Sequence, residues 1–166
     1  YNNLGLPVHL FTNHSLPDLL HVAFYDKGPL LSTTTQVAST LCAIVILGGL
    51  AWAWRKPPVD ALSRFSQPAA LMVVALLLPT FTYEHHVVWA IPAVVLGIIA
   101  IQQGRLPPIW AVFLGCGVAA WAFDLRALLM LSERFEHVPL SGVIQELKSF
   151  ALIIFASAML RLQWPA

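Results

Sequence analysis

Apolar runs at about 37–54, 68–83, 87–101, 109–125 and 149–160 divide the chain, with short polar stretches between them. The run at 37–54 contains no charge and ends on Trp52 and Trp54, where aromatic side chains collect at a membrane surface. Several runs fall short of the roughly 20 residues that a perpendicular bilayer-crossing helix needs, so flanking polar residues are expected to extend them into the headgroups. Pro79 and Pro92 lie within apolar runs and are expected to kink their helices. Ahead of these runs, residues 1–32 interrupt their apolar positions with Asn, His, Pro and Asp too often for a spanning helix. Within that segment SLPDLLHVAF predicts a short helix, with Ser15 as N-cap and Asp18 in the acidic place of a capping box. Leu16, Leu19, Leu20 and Ala23 or Phe24 then share a face, which suits a helix lying in the membrane interface. The pattern predicts an all-α, polytopic transmembrane helical bundle of about five spans over 34–166. An exoplasmic loop with an interfacial helix, 1–33, precedes it.

Composition agrees with the pattern: 58% of the side chains are hydrophobic and 10% are charged, which points to a membrane protein. The net charge of +1 offers nothing to a nucleic acid. The chain opens on Tyr1 with no basic leader, and is expected to be a piece of a longer protein. Cys42 and Cys116, each inside an apolar run, are expected to be small buried hydrophobes. The placement of charge sets an orientation. If the loop RKPPVDALSRF is cytoplasmic, alternation puts five of the nine Lys and Arg residues on that side, with Asp60 as the one acid. The six histidines and the other seven acids then fall on the exoplasmic face, together with the N-terminal region, while the C-terminus is cytoplasmic.

The candidate chemistry centres on Glu84, His85 and His86, a carboxylate and two imidazoles set directly against an apolar run. Left unpaired in hydrocarbon such groups cost several kcal/mol, so they must face water, a partner or a ligand. Adjacent residues of an α-helix point about 100° apart, so one histidine is expected to line a cavity. His85 would share a face with Trp89 as an interfacial pair, which favours His86 as the ligand contact. Arg126 and Arg134 follow the fourth run and read either as solvated loop residues or as planar forks for a phosphate. Glu146 and Lys148 precede the last run and are expected to snorkel outward. A metal site is not expected, because adjacent histidines lack the spacing that aims two imidazoles at one ion. Gly48-Gly49 and Gly115-Cys116-Gly117 are read as close helix contacts.

Two stretches together resemble a known family. NHSLPDLLHVAF resembles the N-x-S-L-x-x-L-x-R element, and LLLPTFTYEHHVVWAIPAVVL the S-P-x-S-W-x-H-H-x-V-W-x-x-P element, of the glycosyltransferase family 87 membrane proteins. The second match rests on His85, His86, Val88, Trp89 and Pro92. His21 stands where the family has Arg, and Thr82-Tyr83 where it has Ser-Trp. The resemblance implies the C-terminal part of a GT-C-like fold. It also implies transfer of a sugar, mannose, from a polyprenyl-phosphate donor to a glycolipid or glycan acceptor at the exoplasmic face of the cell membrane, without a cofactor. His86, His85, Arg126 and Arg134 would bind the donor phosphate, and Asn13, Glu84 and Tyr83 would position substrate. The catalytic base would lie ahead of Tyr1. A transporter or channel with an exoplasmic His/Glu site is the rival reading, although such proteins carry ionisable residues near mid-membrane and the centres of these runs have none. A scaffold subunit without a ligand is a third.

Overall fold

The computed structural model of the chain describes residues 15–24, 31–79, 84–122 and 146–163, and among them every regular element is helical. In order these are α1 (Leu16–Ala23), α2 (Thr33–Ala53), α3 (Ala61–Leu77), a 3₁₀ helix (Glu84–Ala90), α4 (Ile91–Gln102), α5 (Ile109–Ala122) and α6 (Leu147–Arg161). Among the described residues each apolar run of the sequence therefore falls on a helix, but two boundaries move. The loop RKPPVDALSRF supplies the first turn of α3. There the Asp60 carboxylate accepts from Ser63 N–H at 2.7 Å while Ser63 Oγ reaches back to Asp60 N–H, a complete capping box. The prolines also act differently from the expected kinks. Pro79 lies beyond the end of α3, and Pro92 opens α4 in its first turn. A proline disfavours helix in the residue before it and is pre-organised for the start of one, so both delimit helices. The proline inside a helix is Pro68, in α3.

The helices alternate in direction. Gln163, just past α6, donates to Ser63 O at 3.2 Å and to Ser66 Oγ, which sets the end of α6 beside the start of α3. The turn after α4 returns to the same end. Gly104 at φ 68° lets Gly104 N–H and Arg105 N–H satisfy the Ile101 and Ala100 carbonyls at 3.0 and 2.8 Å, and Arg105 is thereby turned onto the Asp60 carboxylate. The start of α6, the start of α4 and the end of α3 consequently lie together at the opposite end. We refer to the two ends as the Asp60 end and the Glu146 end.

Inside the bundle, small side chains sit among large ones such as Phe155, Leu77, Leu152 and Met159 and let the helices approach closely. Ala69, Ala70, Ala93, Ala100, Ala151 and Ala158 are buried, and Gly97 and Gly117 admit neighbours that a methyl group would strike. A Cβ on Gly117 would sit 2.9 Å from the ring of fully buried Phe155, and one on Gly97 would sit 2.7 Å from Leu114 Cδ1. Gly48, Gly49 and Gly115, read from sequence as helix contacts, have open space where a Cβ would be. Only Gly117 of those positions meets another helix. Large apolar side chains such as Val45, Phe65, Val112 and Trp89 are exposed. Cys116 likewise lies on the outer face of α5, and Cys42 is half-buried rather than enclosed. Large apolar side chains thus lie on the outer faces as well as in the core, and so large an exposed apolar surface suits an apolar medium or a partner. Helix α2 goes furthest: Val37, Leu41, Ile44, Val45 and Leu47 are all exposed, and among the described residues it is the one helix long and apolar enough to cross a membrane. Helix α3, residues 88–102 and α5 are apolar and shorter.

Candidate functional site

Two clusters occupy the Glu146 end of the bundle. The first is the 3₁₀ helix Glu84–Ala90, which packs against α3 and leads into α4. Its geometry alters the sequence reading of the two histidines. A 3₁₀ helix has three residues per turn, so neighbours diverge by 120° and residues three apart eclipse each other. It is therefore His86, and not His85, that falls in line with Trp89. His86 is half-buried and Trp89 is 57% exposed. The argument that set His85 aside as the interfacial partner of Trp89 fails on this backbone. For Glu84 and His85 the backbone is described and the side chains are not; Asn13, Tyr83, Arg126 and Arg134 lie outside the described residues.

The second cluster was not foreseen. Helix α1 forms where the sequence places it, with Ser15 Oγ accepting from Asp18 N–H at 3.3 Å and Pro17 in the first turn. Its facing is reversed. Asp18 and His21 are buried together with Ser15 and Leu16, while Ala23 and Phe24 are exposed and Leu19 and Leu20 are half-buried. The polar side turns in because a partner waits there. Glu146, the residue before α6, is as fully buried as Asp18, each at 1% exposure, and the Asp18 charge acts on its carboxyl. Ser149 Oγ donates to Glu146 Oε2 at 2.6 Å. Lys148, two residues on, is buried as well. The expectation that Glu146 and Lys148 snorkel outward is thus overturned: both are buried, and Glu146 is bonded to the serine of its own helix.

Electrostatics follow from this enclosure. Burial first, and then the Asp18 charge, push Glu146 well above the usual carboxylate range; the Ser149 hydroxyl pulls the other way. A signal for the cluster does exist in the sequence. Ser15, Asp18 and His21 recur at three-residue spacing, and so do Glu146 and Ser149, each set making one polar stripe on a helical face. A stripe shows which residues share a face, and not whether that face meets water or another stripe.

The Glu146 end therefore combines a half-buried imidazole at the rim with an enclosed carboxyl pair, and it can offer a hydrogen-bond donor, a proton and a proton acceptor. No group of three His, Cys, Asp or Glu residues suited to a metal ion occurs among the described residues. No family model, curated protein or solved structure matches this chain.

Proposed function

We propose that the chain is a multi-pass membrane helical bundle that takes part in transferring mannose from a polyprenyl-phosphate donor to a glycolipid or glycan acceptor at the exoplasmic face. The observation that carries the reading is the alternation of helix direction. It collects His86, Asp18, His21 and Glu146 at one end of an apolar bundle and leaves Arg55, Lys56, Arg64, Arg105 and Arg161 at the other. Excess Lys and Arg mark a cytoplasmic side, so the Glu146 end faces outward. The apolar outer surfaces of α3, α4 and α5 favour further spans beside α2, shortened by polar ends that reach the headgroups. The rival transporter reading calls for ionisable groups at mid-helix. Among the described residues, the charged ones sit at helix ends or in the turns between helices.

A lipid-phosphate sugar presents its phosphate at such a rim. As the glycosidic bond breaks, negative charge grows on the departing phosphate, and a donor held there stabilises the transition state more than the ground state. His86 takes that role in this reading, with His85 beside it and Arg126 or Arg134 as the supporting cation. Glu84, Tyr83 and Asn13 position the substrate. The test is transfer of radiolabelled mannose from a polyprenyl-phosphate donor by the full-length protein in proteoliposomes. His86→Ala, with folding checked by circular dichroism, is expected to lower turnover roughly a hundred- to a thousand-fold, the loss typical of one preorganised oxyanion donor. Near-normal turnover in His85→Ala, His86→Ala and the double variant would remove the phosphate role.

A further inference from the structure

The Asp60 end carries more positive charge than its own acid can meet. Asp60 is the one acid among the described residues there, and its carboxylate is already engaged, by the Ser63 N–H at 2.7 Å and by the Arg105 guanidinium. Arg55, Lys56 and Arg64 lie within a stretch of ten residues, are exposed, and pair with no acid among the described residues. We propose that these three cations, with the apolar side chains set among them, form a binding surface for the headgroups of anionic phospholipids in the leaflet at this end. The inference rests on the membrane placement proposed above and is independent of sugar transfer.

Three features single out a lipid as the occupant. Charge and apolar surface are interleaved here, because Trp52, Val59 and Phe65 are exposed in the same short stretch. A soluble acidic protein or a nucleic acid would meet the cations and leave these side chains in water. A leaflet sets apolar chains directly beneath its phosphates, so both kinds of group are matched at once. Arg55 also lies over the Trp52 ring, its guanidinium carbon 4.9 Å from the ring centroid. An indole settles at headgroup depth, and the stacking holds the guanidinium fork at that level with its edge open to phosphate oxygens. Finally, the surface is held in shape without a ligand. Leu50 lies in the bundle core and Trp54 packs against it, which ties down the end of α2. Pro57 and Pro58, each with a fixed φ, restrict the loop, and the Asp60–Ser63 capping box fixes the turn of α3 on which Arg64 stands. Less freedom is lost on binding than a flexible basic tail would lose.

The three cations have different parts. Arg55 and Arg64 each offer paired N–H donors to two oxygens of one phosphate, and Lys56 supplies a compact charge. The attraction comes from side chains rather than from the start of α3, whose Ser63 N–H is already capped by Asp60. Phosphatidylglycerol, with an uncompensated phosphodiester charge, is favoured over phosphatidylcholine, whose own quaternary ammonium neutralises its phosphate. Each cation near the surface is expected to contribute about fivefold to that preference.

The test is native mass spectrometry of the full-length protein extracted in detergent from vesicles of equal phosphatidylcholine and phosphatidylglycerol, reading which lipid is retained first. Phosphatidylglycerol is expected to exceed phosphatidylcholine by at least about fivefold in wild type. Washing in about 1 M rather than about 0.1 M ammonium acetate shortens the screening length from about 10 Å to about 3 Å and is expected to reduce the excess. The triple variant Arg55→Gln, Lys56→Gln, Arg64→Gln is expected to lose it, and the double variant Arg55→Lys, Arg64→Lys, which keeps the charge, to retain most of it. Equal retention of the two lipids by wild type would overturn the proposal, as would an excess that survives the triple variant. Binding of soluble polyglutamate that depends on the three cations, without any preference between lipids, would also overturn it and give the surface to an acidic protein. Release of wild type from phosphatidylcholine vesicles by alkaline carbonate would instead remove the membrane placement on which the inference rests. Should the triple variant fail to fold by circular dichroism, the three single Gln variants, each expected to weaken the preference by about fivefold, decide the matter.

Discussion

At one end of the bundle Asp60 faces Arg105, opposite charges with side chains 35% and 24% exposed, while at the other Asp18 faces Glu146, two acids shut away from water. The Asp60 end uses its carboxylate several times over. It caps α3 through Ser63, bonds the Ser63 hydroxyl at 2.8 Å and meets the Arg105 guanidinium held in place by the turn after α4. The Asp60 carboxylate there has both a donor and an opposite charge, and water screens the exposed cations around it. At the Glu146 end the Ser149 hydroxyl donates to Glu146 Oε2 at 2.6 Å, and burial together with the Asp18 charge strengthens the hold of Glu146 on a proton. A helix terminus that only needs to be fixed calls for the first arrangement. The second sets a carboxyl where its charge state depends on pH above the usual carboxylate range.

The sharpest way to break this comparison is to delete one acid of the enclosed pair. Glu146→Ala leaves the Asp18 carboxyl buried opposite a methyl group, and an enclosed polar group deprived of its partner costs about 1–3 kcal/mol. Glu146→Gln retains a donor to Asp18 and is expected to lose far less. Denaturant unfolding in mixed micelles at neutral pH measures both. Equal losses in the two variants would show that the space filled by Glu146 matters and its hydrogen bond does not.

The corresponding deletion at the other end is Asp60→Ala. It removes the N-cap of α3, worth about 1 kcal/mol, and an exposed ion pair worth about 0.2–1 kcal/mol. A total of about 1–2 kcal/mol is expected. Asp60→Asn keeps the cap and isolates the ion pair, so the difference between the two variants separates the parts. Because Asp60 is accessible to water, this loss is expected to be indifferent to pH above the carboxylate range, in contrast to anything done at Glu146.

How far each end could be read in advance differs for the same reason. Near the Asp60 end, local signals sufficed to find the helices: the charge-free run at 37–54 became α2 and Ile109 opened α5 as expected. What escaped was the reach of α3 back to Ala61, because Asp60 and Ser63 were read as loop residues and not as a capping pair. At the Glu146 end, α1 and its Ser15 cap were legible as local chemistry. Its facing was not. A stripe of Ser15, Asp18 and His21 points to water unless something buried answers it, and the answer, Glu146, comes from the far end of the chain. The 3₁₀ geometry of Glu84–Ala90 was equally out of reach, because the choice between three and 3.6 residues per turn over seven residues is made by packing against α3.

Gln163 offers a finer probe of the Asp60 end. Its amide joins the end of α6 to Ser63 O and Ser66 Oγ, near the proline of α3. Ser66 is fully buried but also donates to Ser63 O at 2.9 Å, so it retains a partner when the amide is removed. Gln163→Ala is expected to cost about 0.5–1.5 kcal/mol, the net value of an ordinary hydrogen bond. Gln163→Asn, one methylene short of both serines, is expected to restore little of it. Full recovery in Gln163→Asn would mean that the contact tolerates a shift of α6 along α3.

The smallest effect is expected at Arg105, and its size is what gives it value. The backbone turn after α4 is closed by Gly104 and by bonds from Gly104 N–H and Arg105 N–H, so Arg105→Ala leaves the turn in place and removes only the side chain. Asp60 keeps its cap on Ser63. What is lost is one half-exposed ion pair, about 0.2–1 kcal/mol. Raising the salt from about 0.1 M to about 1 M shortens the screening length from about 10 Å to about 3 Å, so the difference between wild type and Arg105→Ala is expected to shrink as salt rises. A double-mutant cycle with Asp60→Asn should return a coupling inside the same range. The parallel cycle with Asp18→Asn and Glu146→Gln should return a coupling that changes with pH and is indifferent to salt. An Asp60–Arg105 coupling several times larger, and unmoved by salt, would mean that this end too is closed to water. The contrast between a screened pair and an enclosed one would then have to be abandoned.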